Sequence, residues 1–467
     1  MMNLMEAACA CGGRVFGSGL GNPRFSGVST DSRNIAKGEL LIALRGTTFD
    51  GHDFVRQVIE SGAVAAMVDE AWLATQSPDL ALPLVVVADT RLALGTLAAV
   101  WRRRFSIPLI GLTGSNGKTT VKEMCAAILH EQARRDGFDP TTAVLATTGN
   151  LNNDIGLPLM LLRLRATHRA AVIEMGMNHP GEIDYLTRIT APTVALVNNA
   201  QRAHLEGLGT LTGVARAKGE IFNGLPHEGT AVINADDEHS AVWRELADAA
   251  SIHRVIGFGI EQAAEVSAIC QPISFGSYLK VTTPQGAFNI ELKVPGLHNA
   301  RNALAAVAAT LAAGASLAAV GAGLSGYAGI KGRLQRRQAE SGALLIDDTY
   351  NANPDSMRAA IDVLAALPGR KVFVIGDMGE VGVQTGQFHD EIGGYAKSMG
   401  IDRLLAIGEH SATAARNFGE GAQHFKNIAV LIEALRPLLD TNTTVLIKGS
   451  RFMRMERIAD AIESKTD

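Results

Sequence analysis

Cysteine and aromatic residues are scarce in this sequence. Four of the 467 residues are cysteines, and Cys9, Cys11, Cys125 and Cys270 form no CxxC pair and no other metal-ligand spacing. This pattern argues against a disulfide framework or a cysteine-based zinc site and predicts free thiols in a reducing compartment. Aromatic residues make up 5% of the chain, and none alternates with the basic run at 102–104. We therefore expect that run to close a helix, and we expect no nucleic-acid partner.

The chain also lacks a strong net charge and an uninterrupted membrane-length apolar segment. Its net charge is −4, so no global field attracts anionic partners. Residues 303–324 carry no charge, but they are mostly alanine and glycine and are interrupted by Gly314 and Ser316. We predict two buried helices there and no membrane span. No basic region precedes an apolar stretch at the N-terminus, so we expect no signal peptide. We also expect the protein to be cytoplasmic and monomeric.

Apolar runs alternate with helix-like segments along the chain, which predicts an α/β protein of three domains. We expect a small mixed α/β domain at 1–87, a central P-loop ATPase-like parallel sheet at 88–326, and a C-terminal Rossmann-like doubly wound domain at 327–467. Asp89 and Asn353 are predicted helix caps. The predicted strands are 40–44, 63–68, 84–87, 108–112, 170–173, 193–197, 344–346, 372–375, 404–407 and 445–447. The predicted helices include 53–61, 121–129 and 354–367.

The most informative segment is residues 110–120, Ile-Gly-Leu-Thr-Gly-Ser-Asn-Gly-Lys-Thr-Thr. A glycine-rich turn between a predicted strand and a predicted helix is the setting of a phosphate-binding P-loop. Lys118 would then reach the β- and γ-phosphates, and the Thr119 hydroxyl would contact Mg²⁺. Leu112 stands where the usual pattern has its first glycine.

Polar residues follow two buried strands of the central domain. Glu174 ends one strand, and the segment from Asn198 to His204 follows the next. In open α/β sheets the ligand lies outside the carboxyl ends of the strands, so we expect these side chains to face the nucleotide. A carboxylate at Glu174 can hold Mg²⁺, while His204 fits a metal ligand and a polar surface residue equally well. From the residues alone, Lys218 is expected to be a solvated lysine on a helix.

Two segments of the C-terminal domain carry similar signals. Asp347 and Asp348 end its first predicted strand, and the loop 350–354 follows. Residues 448–451, Lys-Gly-Ser-Arg, end the last strand and open a helix. Two cations at a helix start suit an anionic group such as a carboxylate.

Together these segments resemble those of the Mur ligases, the ATP-dependent amide-forming enzymes of peptidoglycan synthesis. The resemblance covers nearly the whole chain, and the family's own form of P-loop accounts for Leu112. Segment 347–354 is its most specific signal and is similar to that of the member that adds D-alanyl-D-alanine. The motifs that carry the resemblance are residues 30–33, 50–52, 113–120, 150–153, 174–177, 204–206, 217–220, 298–302, 332–334, 347–354 and 448–451.

The resemblance implies a role for each motif. Lys118, Glu174, His204 and Lys218 are the implied catalytic residues, with Lys218 carbamylated, and Thr119, Glu174, His204 and Lys218 hold Mg²⁺. The implied ATP-binding residues are Thr113, Gly114, Ser115, Asn116, Gly117, Lys118, Thr119, Thr120, Asn299, Asn302, Arg333 and Asp348. The implied substrate-binding residues are Asp31, Ser32, Arg33, Asp50, His52, Asn150, Asn152, Tyr350, Asn351, Asn353, Lys448, Ser450 and Arg451.

The activity that the resemblance implies is ligation of D-alanyl-D-alanine to UDP-N-acetylmuramoyl-tripeptide through an acyl phosphate, with ATP and Mg²⁺ as cofactors. Three alternatives stay open. A sister Mur ligase adding one amino acid, or a folylpolyglutamate synthetase, would share the P-loop and metal residues, but the loop 350–354 and the Asp31-Ser32-Arg33 segment argue against both. A P-loop ATPase or nucleotide switch would need only the middle domain and leaves the other two unexplained.

Overall fold

The structure, a computed structural model, describes residues 1–17, 21–77, 80–203 and 205–464. These residues form three β-sheets, one after another along the chain, and helices cover each of them. The α/β class predicted from the sequence is confirmed.

The first sheet belongs to the N-terminal region. Its elements are α1 (Leu4–Ala10), β1 (Arg14–Phe16), β2 (Val28–Ser29), β3 (Leu40–Ile42), α2 (Val55–Glu60), β4 (Ala65–Asp69), α3 (Glu70–Leu73) and β5 (Leu84–Val87), followed by α4 (Thr90–Arg102). The strand order is β1-β5-β4-β3-β2, and only β1 is antiparallel to its neighbour. Asp89 caps α4 as predicted, because its Oδ1 accepts from the backbone N–H groups of Arg91 (2.8 Å) and Leu92 (2.9 Å).

The middle region contains the largest sheet. Its strands are β6 (Leu109–Thr113), β7 (Val144–Ala146), β8 (Ala170–Glu174), β9 (Val194–Val197), β10 (Thr230–Asn234), β11 (Arg254–Gly259), β12 (Val266–Ile273), β13 (Gly276–Thr283) and β14 (Gly286–Leu292). Its helices are α5 (Lys118–Arg135), α6 (Pro140–Ala143), α7 (Gly156–Leu161), α8 (Glu182–Thr190), α9 (Leu205–Leu208), α10 (Leu211–Gly219), α11 (Ser240–Ala249), α12 (Leu297–Ala312) and α13 (Leu317–Gly326).

The strand order of this sheet is β14-β13-β12-β11-β10-β9-β6-β8-β7. Strands β6 to β12 pair in parallel. The prediction covered β6, β8 and β9, whose apolar runs are buried on both faces, and it missed β7, β10, β11 and β12. The antiparallel extension β12-β13-β14 was not predicted. Its strands alternate buried and exposed positions, which is the pattern of a hairpin with one solvated face.

The uncharged segment at 303–324 forms two helices, α12 and α13, as predicted. The turn between them contains Gly314, whose φ of +96° lies in the left-handed region, and Ser316 accepts from Ala319 N to cap α13. Within the described part of the chain, no helix is long and apolar enough to cross a membrane.

The third sheet has the order β15-β16-β20-β17-β18-β19, with β15 antiparallel and the other strands parallel. Its strands are β15 (Gln335–Gln338), β16 (Leu344–Asp348), β17 (Arg370–Gly376), β18 (Arg403–Ile407), β19 (Ala422–Phe425) and β20 (Thr443–Lys448). Its helices are α14 (Pro354–Ala366), α15 (Thr385–Ser398), α16 (Ser411–Phe418), α17 (Ile428–Leu435) and α18 (Glu456–Ile462).

Two edge strands of this sheet, β15 and β19, are missing from the sequence-based prediction. The sequence of β15 is Gln-Arg-Arg-Gln, which has no apolar signal, yet Arg337 is buried there by ion pairs with Asp347 and Glu463. The expectation that Asp347 and Asp348 end the first strand of this domain is therefore corrected, because β16 is the second strand.

Candidate active site

A cleft of about 1320 Å³ lies where the carboxyl ends of the middle sheet face the third sheet. Strands β6, β8, β9 and β10 all end at this edge, and β16, β17 and β20 end opposite them. This is the position at which open α/β sheets bind ligands. The cleft is lined by predicted site residues from both regions, namely Ser115, Asn116, Gly117, Lys118, Thr119, Thr120, Asn150, Asn152, Glu174, Asn299, Asn302, Arg333, Asp348, Tyr350, Asn351, Asn353, Lys448 and Arg451.

The P-loop joins β6 to α5, as predicted from residues 110–120. Leu112 is fully buried within β6, so the loop proper begins after Thr113. Gly117 has a φ of +80° at the N-cap of α5, and a Cβ there would lie 2.4 Å from Asn302 Oδ1. Only glycine fits both constraints. The start of α5 thus opens toward the cleft, where a helix N-terminus favours phosphate.

A chain of amide side chains joins the P-loop to the start of α12, which carries the motif at 298–302. Asn198 Nδ2 donates to Asn116 O and to Asn302 Oδ1, each at 2.9 Å. Asn302 Nδ2 then donates to Asn299 Oδ1 at 3.2 Å, and Asn299 Nδ2 donates to Pro295 O at 2.8 Å. Asn299 and Asn302 therefore lie beside the P-loop in the cleft, although part of their hydrogen-bonding capacity holds the fold.

Glu174 is the residue most suited to a metal ion. Its side chain is buried, and Asn152 Nδ2 donates to its Oε1 at 2.9 Å. Its Oε2 is also buried but has no hydrogen-bond partner among the described residues. A buried carboxylate oxygen without a donor needs a cation or water, so the arrangement fits Mg²⁺. Among the described residues, no group of three or more acidic, histidine or cysteine side chains is arranged so that it could hold a metal ion by itself.

Two lysines lie at or beside the cleft, and of the two only Lys118 is among its lining residues. Lys118 lines the cleft and donates from Nζ to Gly114 O (2.7 Å) and Ser115 O (3.3 Å). Burial lowers the pKa of Lys118, and the Glu174 carboxylate raises it in part. Lys218, on α10, is only 1% exposed, which contradicts the expectation of a solvated lysine drawn from the residues alone. Burial, together with the charge of Lys118, brings the pKa of Lys218 well below its ordinary value.

The third sheet supplies the opposite wall of the cleft. Arg333 Nη2 donates to Thr119 Oγ1 at 3.0 Å, and the Arg333 guanidinium lies 4.1 Å from the centre of the Tyr350 ring. Lys448 Nζ donates to Asp348 Oδ2 (2.6 Å) and to Asn351 O (2.9 Å). Arg333, near the start of the C-terminal region, thus contacts the P-loop, and Lys448, near its end, contacts the loop 350–353.

Several predicted residues lie elsewhere. Asp31, Ser32, Arg33, Asp50 and His52, all in the N-terminal region, do not line the cleft. The ion pair with Arg33 holds the pKa of Asp31 well below its usual range. The ring of His52 is buried between Asp50, whose Oδ1 lies 2.6 Å from His52 Nδ1, and the backbone N–H of Asp69, which donates to Nε2.

Four further predicted positions need separate mention. Thr113 is buried, and its hydroxyl donates to Met175 O, while Gly114 precedes the part of the loop that lines the cleft. Ser450 acts on the backbone, because its hydroxyl donates to Ala352 O and accepts from Gly379 N. The metal role predicted for His204 falls outside the described residues.

The sequence analysis missed other residues that line the cleft. Asp236 and Asp237 follow β10, and Gly379 and Glu380 follow β17. The signal used for Glu174, a polar residue after a buried strand, applies to Asp236, Asp237 and Glu380. A second arm of the cleft, formed by Asp89, Arg91, Asp154 and Tyr185, has no comparable sequence signal because it joins α4, a loop and α8.

Family models match most of the chain. Residues 24–102 match the Mur ligase family catalytic domain, residues 112–310 the Mur ligase middle domain, and residues 332–451 the Mur ligase glutamate ligase domain.

Individual relatives agree with these models. UDP-N-acetylmuramoyl-tripeptide--D-alanyl-D-alanine ligase of Escherichia coli is 42% identical over 93% of both chains. The structure of MurF from Acinetobacter baumannii matches with a TM-score of 0.88 and 37% identity over 98% of both chains. MurF ligase from Thermotoga maritima, solved in complex with ADP, matches with a TM-score of 0.79 and 25% identity over 93% of this chain and 96% of that one.

Proposed function

The chain belongs to the Mur ligase family, and from this premise we propose that it joins D-alanyl-D-alanine to a UDP-N-acetylmuramoyl-tripeptide with the use of ATP, forming the pentapeptide precursor of peptidoglycan. The observation that carries the proposal is the 42% identity to a D-alanyl-D-alanine ligase over 93% of both chains. The cleft supports it, because the P-loop lies directly against the loop 350–353.

The reaction has two steps at one carboxylate. An oxygen of the tripeptide's terminal carboxylate attacks the γ-phosphorus of ATP, which forms an acyl phosphate and releases ADP. The free amine of D-alanyl-D-alanine then attacks the acyl carbon, loses a proton and expels inorganic phosphate, which leaves an amide. The same cleft must therefore hold a triphosphate, a carboxylate and an amine together.

Charge is the main obstacle to the first step, because carboxylate and triphosphate repel each other. We propose that Lys118 and Arg333 bind the phosphates from opposite walls of the cleft, each donating to the charge that grows on the transferring group. Thr119, Glu174 and His204 are the proposed ligands of Mg²⁺, which when bound would offset the remaining negative charge. The adenine is proposed to lie against Asn299 and Asn302.

We propose that Lys218 carries a carbamate. A neutral lysine amine can attack CO₂ and release a proton, which changes the neutral side chain into an anionic carbamate. Burial and the neighbouring Lys118 lower the pKa of Lys218, which favours the neutral amine that this reaction needs. The resulting carbamate oxygens would serve as further Mg²⁺ ligands.

The two substrates are proposed to enter the cleft from different sides. Asn351, Asn353 and Lys448, next to Arg451, would fix the carboxylate of D-alanyl-D-alanine. The tripeptide would lie along Asn150 and Asn152, with the second arm of the cleft beyond them. The UDP group, at the other end of the UDP-N-acetylmuramoyl-tripeptide, is proposed to bind the N-terminal residues 31–33 and 50–52. We further propose that the enzyme acts as a monomer in the cytoplasm, where ATP is supplied.

Product analysis tests this proposal. ADP release and product mass should be measured with UDP-N-acetylmuramoyl-tripeptide and either D-alanyl-D-alanine, D-alanine or an L-amino acid. We expect ADP release to require both substrates, and the product mass to equal the sum of tripeptide and dipeptide less one water. Equal rates with free D-alanine would indicate a sister ligase, and ADP release without any amine or tripeptide would indicate a simple ATPase.

A further inference from the structure

Arg202 lies on the segment that follows β9, and this segment is bound to the P-loop. Gln201 N donates to Ser115 Oγ (2.9 Å), and Ser115 Oγ donates back to Gln201 O (3.1 Å). Asn116 Nδ2 donates to Gln201 Oε1 at 2.6 Å. The backbone just before Arg202 therefore holds a fixed position relative to the phosphate-binding loop.

The side chain of Arg202 reaches across to two helices of the third sheet. Its Nε and Nη2 donate to Asp355 Oδ1 at 2.9 and 2.7 Å, and its backbone N–H donates to Asp355 Oδ2 at 2.8 Å. Its Nη1 and Nη2 also donate to the two oxygens of Glu391 at 2.8 and 3.1 Å. The guanidinium further packs 5.3 Å from the centre of the Phe388 ring. The Arg202 and Asp355 side chains are each only 23% exposed, so these charge-assisted bonds are largely shielded from water.

These contacts meet the third sheet at the start of α14. Asp355 is in the first turn of α14, two residues after its N-cap, Asn353. Asn353 also crosses to the P-loop, where its Nδ2 donates to Asn116 Oδ1 (2.8 Å) and its Oδ1 accepts from Asn116 Nδ2 (3.2 Å). The loop 350–353 thus ends in a helix start that is bound at two positions by the P-loop segment and its neighbour.

We infer that Arg202 is a positioning residue that places the amine-binding loop 350–353 against the P-loop, so that the dipeptide amine lies in line with the acyl phosphate. This inference rests on the proposed function. Arg202 does not line the cleft and so acts through Asp355 and Asn353. Its loss should affect the amine step far more than the steps that use ATP and the tripeptide.

The test is Arg202→Met, with Arg358→Met as the matched control. Arg358 also donates to Glu391 (2.9 Å), but it lies on α14 itself, and among the described residues it makes no hydrogen bond to the middle region. For Arg202→Met we expect kcat/KM for D-alanyl-D-alanine to fall roughly 10- to 100-fold, the size of effect that a small misplacement of reacting groups produces. The affinity for ATP and the rate of tripeptide-dependent positional oxygen exchange in ATP, which reports acyl-phosphate formation, should change by less than about 3-fold.

Two further variants keep the test decisive if Arg202→Met folds poorly. Asp355→Asn should show the same selective loss, and the double variant should be no worse than the larger single effect, because both remove one connection. Arg202→Lys should recover little, since one ammonium cannot bind both carboxylates in a bidentate way.

The opposing results are equally clear. An unchanged kcat/KM for the dipeptide, an equal loss in all three measurements, or the same loss in Arg358→Met would overturn the inference. A wild-type enzyme that does not use D-alanyl-D-alanine would instead overturn the proposed function.

Discussion

Lys118 and Lys218 are neighbours, but their surroundings differ. Lys118 follows a glycine-rich turn, lines the cleft, and has two carbonyl oxygens and a nearby carboxylate to favour its charge. Lys218 is on the small-residue helix α10, is 1% exposed, and has a lysine rather than a carboxylate as its charged neighbour. Burial lowers the pKa of both; nearby carboxylates offset part of this at Lys118, whereas the charge of Lys118 adds to it at Lys218.

This difference shows how one site can use the same residue type for two purposes. A lysine whose charge is favoured by neighbours can bind phosphate as a cation. A lysine whose charge is opposed by burial and by another cation is held as a neutral amine, which is the form that reacts with CO₂. The central claim of our account is that the fold favours the charged form of Lys118, which lines the cleft, and the neutral form of Lys218, which is buried beside it.

The largest expected effect comes from removing the second lysine. Lys218→Ala should lower kcat by roughly 10³-fold or more, because the proposed carbamate and its metal contacts are lost together. Added formate or acetate should restore part of the activity by supplying a carboxylate in the vacated space. Steady-state ligation with and without these anions measures both effects.

Two controls accompany that experiment. Lys218→Arg should stay inactive with or without formate, since arginine supplies a positive charge and is not carbamylated. Lys122→Ala removes another buried lysine that does not line the cleft, and its turnover should stay near wild type. Full activity in Lys218→Arg would refute the anionic role of this position.

Lys118→Ala should have the next largest effect, a loss of order 10²–10³ in kcat from one missing electrostatic contact to the transferring phosphoryl group. Formate should give no rescue here, because the missing charge is positive. Kinetics on a variant whose circular dichroism matches wild type check this result. If such a variant ligates normally, the P-loop assignment is wrong.

A smaller effect concerns stability. In buffer free of CO₂, Lys218→Met should raise the free energy of unfolding, and the gain should grow as the pH falls. The sign follows from the lowered pKa of Lys218. At pH values between that lowered pKa and about 10.4, the unfolded wild-type chain binds a proton at Lys218 that the folded chain does not bind, so lowering the pH destabilises the wild type. Each pH unit in this window adds about 1.4 kcal/mol to the gain.

Denaturant titrations at several pH values, with and without bicarbonate, measure this gain. A gain that is independent of pH would mean that Lys218 stays protonated in the folded protein.

The sequence predicts those parts of the site in which a single short segment forms the local structure and also carries the functional side chain. The P-loop is continuous in the chain, and Glu174 directly ends a buried strand. Lys218 shows the limit of such reasoning, because its helix is amphipathic enough to suggest solvent exposure, and only the packing of α10 buries it. Arg202 contacts Asp355 and Glu391, which are separated from it by 153 and 189 positions in the sequence. No local pattern could therefore predict these contacts.

The same distinction holds for the fold. The buried parallel strands that were predicted, such as β6 and β9, have continuous apolar runs, but β10, which is equally buried, was missed. The edge strand β15 was missed, because its burial depends on ion pairs of Arg337 with residues up to 126 positions away.

The most direct test of the central claim is ¹³C NMR of the enzyme in ¹³C-bicarbonate with nucleotide and Mg²⁺ bound. Our account predicts a carbamate carbon signal that is present in the wild type and in Lys118→Ala and absent in Lys218→Ala. A saturated sample with no such signal, or a signal that persists in Lys218→Ala, would contradict it.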